Sequence, residues 1–105
     1  MSIDTIVPLP GEHLPRSARV GVDIRCEVRQ GTRPWRIALL EDLSPGGFRI
    51  GCLLQARQEL PLRIRIPGLQ LLSARICWIR NGAVGCEFDA PLHIAVFEHI
   101  VRAAG

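Results

Sequence analysis

Strict alternation opens the patterned part of the chain. Val20, Val22, Ile24, Cys26 and Val28 interleave with Gly21, Asp23, Arg25, Glu27 and Arg29, and a period of two predicts a half-buried β-strand over residues 20–28. Residues 30–34 read as a turn, and residues 35–40 as a second strand. A third strand is expected over 47–53, after the segment Asp42-Leu43-Ser44-Pro45-Gly46-Gly47. In the fourth, over 60–66, Leu60, Leu62, Ile64 and Ile66 alternate with Arg63 and Arg65, and Pro67-Gly68 ends it. The fifth is a long strand over 69–80. Asn81-Gly82 then gives the strongest short hairpin signal in the chain, because both positions tolerate positive φ. A sixth strand follows over 83–88. Beyond it the period changes. Asp89 is the expected cap and Pro91 suits a first turn, so a helix is predicted over 92–103 with Leu92, Val96, Ile100 and Ala103 on one stripe.

Six short antiparallel strands and one closing helix predict an all-β fold, a six-stranded antiparallel barrel or split barrel whose helix covers one opening. A chain of 105 residues supports one core and one domain, assigned to residues 20–105. Residues 1–19 contain Pro8, Pro10, Gly11 and Pro15 and read as a flexible arm.

Composition narrows the function classes. Hydrophobic residues make up 48% and charged residues 22%, which excludes intrinsic disorder. The net charge is +3, and all thirteen basic residues are arginine. Arginine presents a planar fork of donors that grips phosphate or a guanine edge in bidentate fashion, which makes a phosphate- or guanine-bearing ligand a natural candidate. No apolar run approaches the roughly 18–20 residues needed to cross a bilayer, and the first fifteen residues lack the features of a signal peptide. A cytoplasmic protein with no membrane partner is therefore expected. Cys26, Cys52, Cys77 and Cys86 form no C-x-x-C pair, and His13, His93 and His99 show no ligand spacing, so no metal or cofactor is expected. Counting back from a two-residue loop at Asn81-Gly82 sets Cys77 opposite Cys86 at a non-hydrogen-bonded pair, where Cα atoms lie about 4.5 Å apart. A reducing compartment would keep all four thiols free, as small hydrophobes. Catalytic signatures are missing: there is no G-x-S-x-G elbow, no H-E-x-x-H, no phosphate-binding P-loop. The chain is not expected to be an enzyme.

The segment that carries candidate chemistry is Asp42-Leu43-Ser44-Pro45-Gly46-Gly47. Asp and Ser two residues apart can accept backbone N–H bonds and shape a tight turn, while the glycines allow positive φ and leave backbone groups open to a ligand. Taken alone, the pattern is equally well an Asx turn joining two strands.

Its surroundings add weight. An arm with Arg16 and Arg19, a first strand from Val20, a D-x-S-x-x-G turn at Asp42/Ser44/Gly47, a late strand with Ala74-x-Ile76-x-Trp78, a Gly85-Cys86-Glu87-Phe88 strand and a C-terminal helix together resemble the PilZ family over roughly residues 15–103. The resemblance implies a bacterial second-messenger receptor whose ligand is cyclic di-GMP. Arginines of an R-x-x-x-R motif would clamp guanines and phosphates, and the Asp and Ser of the turn would hold a guanine edge. Carried over, the binding residues are Arg16, Arg19, Asp42, Ser44 and Gly47. Guanine N7 and O6 form paired acceptors for one arginine fork, and its N1 and N2 donors need an acceptor such as Asp42.

One position departs from the family pattern. The segment is P-R-S-A-R, so with Arg19 as the second arginine of the motif, Pro15 stands where the first belongs and Arg16 lies one residue away. Two functional classes remain open. One is a cyclic di-GMP sensor that rearranges its arm and contacts an unidentified protein effector; the other is a PilZ-like interaction module without the ligand. An oligonucleotide-binding barrel, suggested by Trp35, Phe48 and Trp78 amid arginines, is a distant third, because strand aromatics more often pack in a core. Trp78 is expected to face and pack on Gly85 across the last hairpin.

Overall fold

A computed structural model describes residues 19–104. Its elements are β1 (Val20–Gln30), β2 (Arg36–Leu43), β3 (Gly47–Gly51), β4 (Leu62–Arg65), β5 (Leu72–Arg80), β6 (Ala83–Phe88) and α1 (Ile94–Ala104). All strand pairs are antiparallel and the order β1-β2-β3-β6-β5-β4 closes on itself, since β4 pairs back with β1. The barrel is closed rather than split. Most of the expected arm, including Arg16, lies outside the described residues; only Arg19 falls within them.

The alternation read in β1 and β4 sorts their side chains, and the other strands likewise turn one face inward. Val28, Leu40, Ile50, Leu62, Ile64 and Val84 point inward and are at most 1% exposed, while their neighbours along the strands face outward. The strand ends shift for identifiable reasons. β3 stops at Gly51 because Cys52 takes φ 56°, a left-handed conformation that leaves the ladder. β4 begins only at Leu62, after Pro61, which has no N–H to offer. Gln30, buried at 5% exposure, ties the intervening loop to β1: its side-chain amide accepts from Arg57 N–H and donates to the carbonyls of Arg57 and Leu60. The Asn81-Gly82 hairpin forms as expected, with φ of 53° and 83°.

The helix starts later than expected. Asp89 does not cap it; the Asp89 N–H bonds the Ser73 carbonyl at the end of the β5–β6 ladder. His93 caps instead, its Nδ1 accepting the Ala95 N–H at 3.0 Å. The buried stripe runs through Phe97 and Ile100, with Leu92 just before the helix and Val96 and Val101 at its sides, and Ala103 is exposed. None of the described helices is long and apolar enough to cross a membrane.

Candidate functional site

The D-x-S-x-x-G segment closes the β2–β3 hairpin, and its polar atoms are largely spent on itself. Ser44 N–H donates to the Gly47 carbonyl (2.8 Å), and Gly47 N–H reaches back to the Ser44 carbonyl (3.3 Å) and to Ser44 Oγ (3.0 Å). The Pro45 and Gly46 carbonyls accept from Leu92 N–H (2.7 Å) and Phe88 N–H (2.9 Å). The turn is thus bolted to the end of β6 and to the approach to α1, and Ser44 is only 6% exposed. Neither Gly46 nor Gly47 has positive φ, contrary to the sequence expectation. Glycine is needed at 47 for a different reason: a Cβ there would run into the Cys86 backbone carbonyl of β6.

Leu43 pairs with Phe48 across this turn, so Asp42 falls opposite Arg49. Arg49 in turn lies opposite Gly85 on β6, Gly85 opposite Trp78 on β5, and Gly21 of β1 opposite Asp42. One row therefore crosses the barrel's outer face from β1 to β5: Gly21, Asp42, Arg49, Gly85, Trp78. The glycines leave room on it. Trp78 lays its indole where a Gly85 side chain would be, the packing expected from the hairpin register. A Cβ built on Gly21 would come no nearer to the Asp42 carboxylate than 4.0 Å, at Oδ1, so Gly21 does not crowd that side chain. Oδ2 is engaged by Arg49 Nε at 2.6 Å, and Arg49 also lies 3.5 Å from Glu41.

Arg19, one residue before β1, stands beside the end of β2 because Val20 pairs with Leu43. A cleft of about 120 Å³ results, lined by Arg19, Asp42, Ser44, Gly47, Trp78 and Gly85 among others. Four of the five candidate residues meet there; the fifth, Arg16, lies outside the described residues. Arg49 and Trp78 belong to the site but were not among the candidates. Arg49 was legible in principle, since a four-residue loop closed by Leu43 and Phe48 forces it opposite Asp42.

Cys86 underlies the cleft, and burial first, then the nearby Cys77, pushes its thiol up to about 12. Cys77 is not its cross-strand partner. A bulge between Ile76 and Trp78 makes Cys77 the extra residue and sets Ile76 opposite Cys86, while Trp78 keeps its pairing with Gly85. Cys77 and Cys52 are exposed, so only Cys26 and Cys86 serve as core hydrophobes. Among the described residues, no group of three or more His, Cys, Asp or Glu side chains could hold a metal ion. Phe48 is core, stacked at 4.9 Å on Phe88, and Trp35 lies at another part of the barrel under the Arg65 guanidinium at 3.8 Å.

This geometry can be set beside known proteins. The sequence profile of the PilZ domain matches residues 14–104. The chain belongs to the PilZ family. In fold it is similar to the crystal structure of the PilZ domain of CeSA from a cellulose-synthesizing bacterium, with a TM-score of 0.62 at 24% identity, over 84% of this chain and 95% of that one. No curated protein matches the sequence. PilZ domains are typically non-catalytic receptor domains.

Proposed function

We propose that this PilZ domain is a cytoplasmic receptor for cyclic di-GMP, with Arg16, Arg19, Asp42, Ser44 and Gly47 as its binding residues, and that it signals by re-posing its arginine arm toward a protein effector. One observation carries the reading: Arg19 and Asp42 line a single cleft together with Ser44 and Gly47 of the turn. A carboxylate oxygen accepts the N1 and N2 donors of guanine, and an arginine fork supplies donors for N7 and O6. Ser44 acts through the turn it fixes, which holds Asp42 in place. The cleft, at about 120 Å³, falls below the roughly 300–1,000 Å³ of pockets that enclose a whole small molecule. It suits one base, with the rest of the ligand gripped from outside by the arm. Closing the arm over the ligand would couple binding to a conformational change.

A second reading, an interaction module without ligand, is favoured by Pro15 at the place of the first motif arginine and by the engagement of Asp42 Oδ2 with Arg49. Calorimetric titration of the full chain with cyclic di-GMP separates the two. Saturable heat that Asp42→Ala weakens by roughly 1–3 kcal/mol supports the receptor. No heat at millimolar ligand, together with an unchanged melting temperature, leaves the interaction module.

A further inference from the structure

β2 departs from the rule that its neighbours obey. Its middle reads Ile37-Ala38-Leu39-Leu40, apolar on both faces, the composition of a strand covered on both sides. The barrel covers only one: Ala38 and Leu40 are core, whereas Ile37 is 67% exposed and Leu39 40%. Beside them, the outward residues of β1 and β4 are charged and mostly of one sign. Leu39 pairs with Arg25, Ile37 with Glu27, Glu27 with Arg65 and Arg29 with Arg63. Four arginines face two acids, Asp23 and Glu27, and with Glu27 lying 3.4 Å from Arg65 these strands keep a net positive outer face. Ile37, Arg25 and Arg65 line an open cleft of about 520 Å³ whose far wall is the β4–β5 loop, with Leu71 45% exposed.

We propose that this face docks an acidic amphipathic helix of a partner protein, its aliphatic side chains set between Ile37 and Leu71 and its carboxylates on Arg25 and Arg65. Charge complementarity selects the sign. A closed barrel has no free edge, so the partner cannot bind as an added strand; a helix satisfies its own backbone and presents side chains alone. A second copy of the chain is disfavoured because a two-fold contact would set this positive face against itself. Stacked nucleic-acid bases find little purchase, since Trp35 already carries the Arg65 guanidinium on its ring at 3.8 Å. The proposal holds whether or not cyclic di-GMP binds, because the surface shares no residue with the Asp42 cleft.

The test is an amide NMR titration of the full chain with a synthetic helical peptide carrying leucines along one face and glutamates elsewhere. A scrambled peptide of equal composition, a single-stranded RNA and vesicles of an anionic phospholipid serve as comparisons. The expected result is saturable shifts at Arg25, Ile37, Leu39 and Leu71, and a roughly tenfold loss of affinity from low to high salt. Ile37→Asp should weaken the peptide by roughly tenfold or more, the scale of a buried aliphatic anchor, without lowering the melting temperature. Arg25→Glu should shift preference to a peptide with lysines in place of glutamates. Equal binding of the scrambled peptide, shifts confined to other surfaces, no binding, or tighter binding of RNA or vesicles would each overturn the proposal.

Discussion

The two sides of the Asp42 cleft are built in opposite ways. On the turn side, Ser44 and the Pro45, Gly46 and Gly47 backbone are committed to bonds within the hairpin or to β6 and the approach to α1, and Asp42 is held by Arg49. On the arm side, Arg19 is exposed and bonds to no other described side chain. For the proposed ligand, an acceptor held by its neighbours beside a donor that bonds none of the described side chains would supply selectivity on one side and grip on the other. Changes on the turn side should therefore register in stability, and changes on the arm side in ligand binding.

Gly47→Ala is the severest break expected on the turn side, because its Cβ meets backbone rather than a side chain that can swing away. A loss of about 3 kcal/mol or more is expected in chemical denaturation. A wild-type midpoint would show that β3 and β6 can part at no cost. A large pH effect should come from two buried thiols, Cys86 beneath the same turn and Cys26 on β1. Burial is the main cause holding the thiols of Cys86 and Cys26 up at about 12 and about 11, and thiols in the unfolded chain ionise near 9. Their folded pKa values are raised, so their contribution is complete below pH about 9 and is lost as pH climbs through about 11 to 12. Melting temperature should fall over that window. The chain contains no lysine or tyrosine, so few other side chains titrate there; a flat profile would mean that the two thiols are not buried as described.

The arm side should behave otherwise. Arg19→Ala should leave stability within about 0.5 kcal/mol of wild type and weaken cyclic di-GMP by roughly 1–3 kcal/mol, seen by calorimetry. A drop in melting temperature of the free protein would contradict the division of labour. Ser44→Ala is the smallest of the series. It removes the Oγ bonds to the Gly47 N–H and to the Gly47 carbonyl, leaves the backbone bonds of the turn in place and should cost about 1 kcal/mol, with ligand affinity following only as far as the turn loosens.

The same contrast explains what could be read from the chain. Alternation over residues 20–28 and 60–66 made two strands and their inward faces legible, turn signals bounded the others, and Asn81-Gly82 made the last hairpin legible through Trp78 and Gly85, because each rests on local geometry. A bulge adds one residue without a composition of its own. Those at Glu41 and at Cys77 were invisible, and the second displaced Cys77 from Cys86. The need for glycine at 47 was visible, but its cause was not, since close approach of β6 is a tertiary fact. His93 displaced Asp89 as the cap because Asp89 is still held by the β5–β6 ladder. The apolar outer face of β2 was present in the letters Ile37 and Leu39, yet only the closed barrel shows that the described strands leave it exposed.

The central claim is that a guanine-bearing ligand enters between Arg19 and the Asp42 row. Backbone amide NMR of the full chain, titrated with cyclic di-GMP, tests it most directly. The account predicts saturable shifts at Arg19 to Gly21, Asp42 to Ser44, Gly46, Gly47 and Gly85, with the outer face around Ile37 unchanged. An absence of shifts at millimolar ligand, or shifts that cluster away from that row, would contradict it.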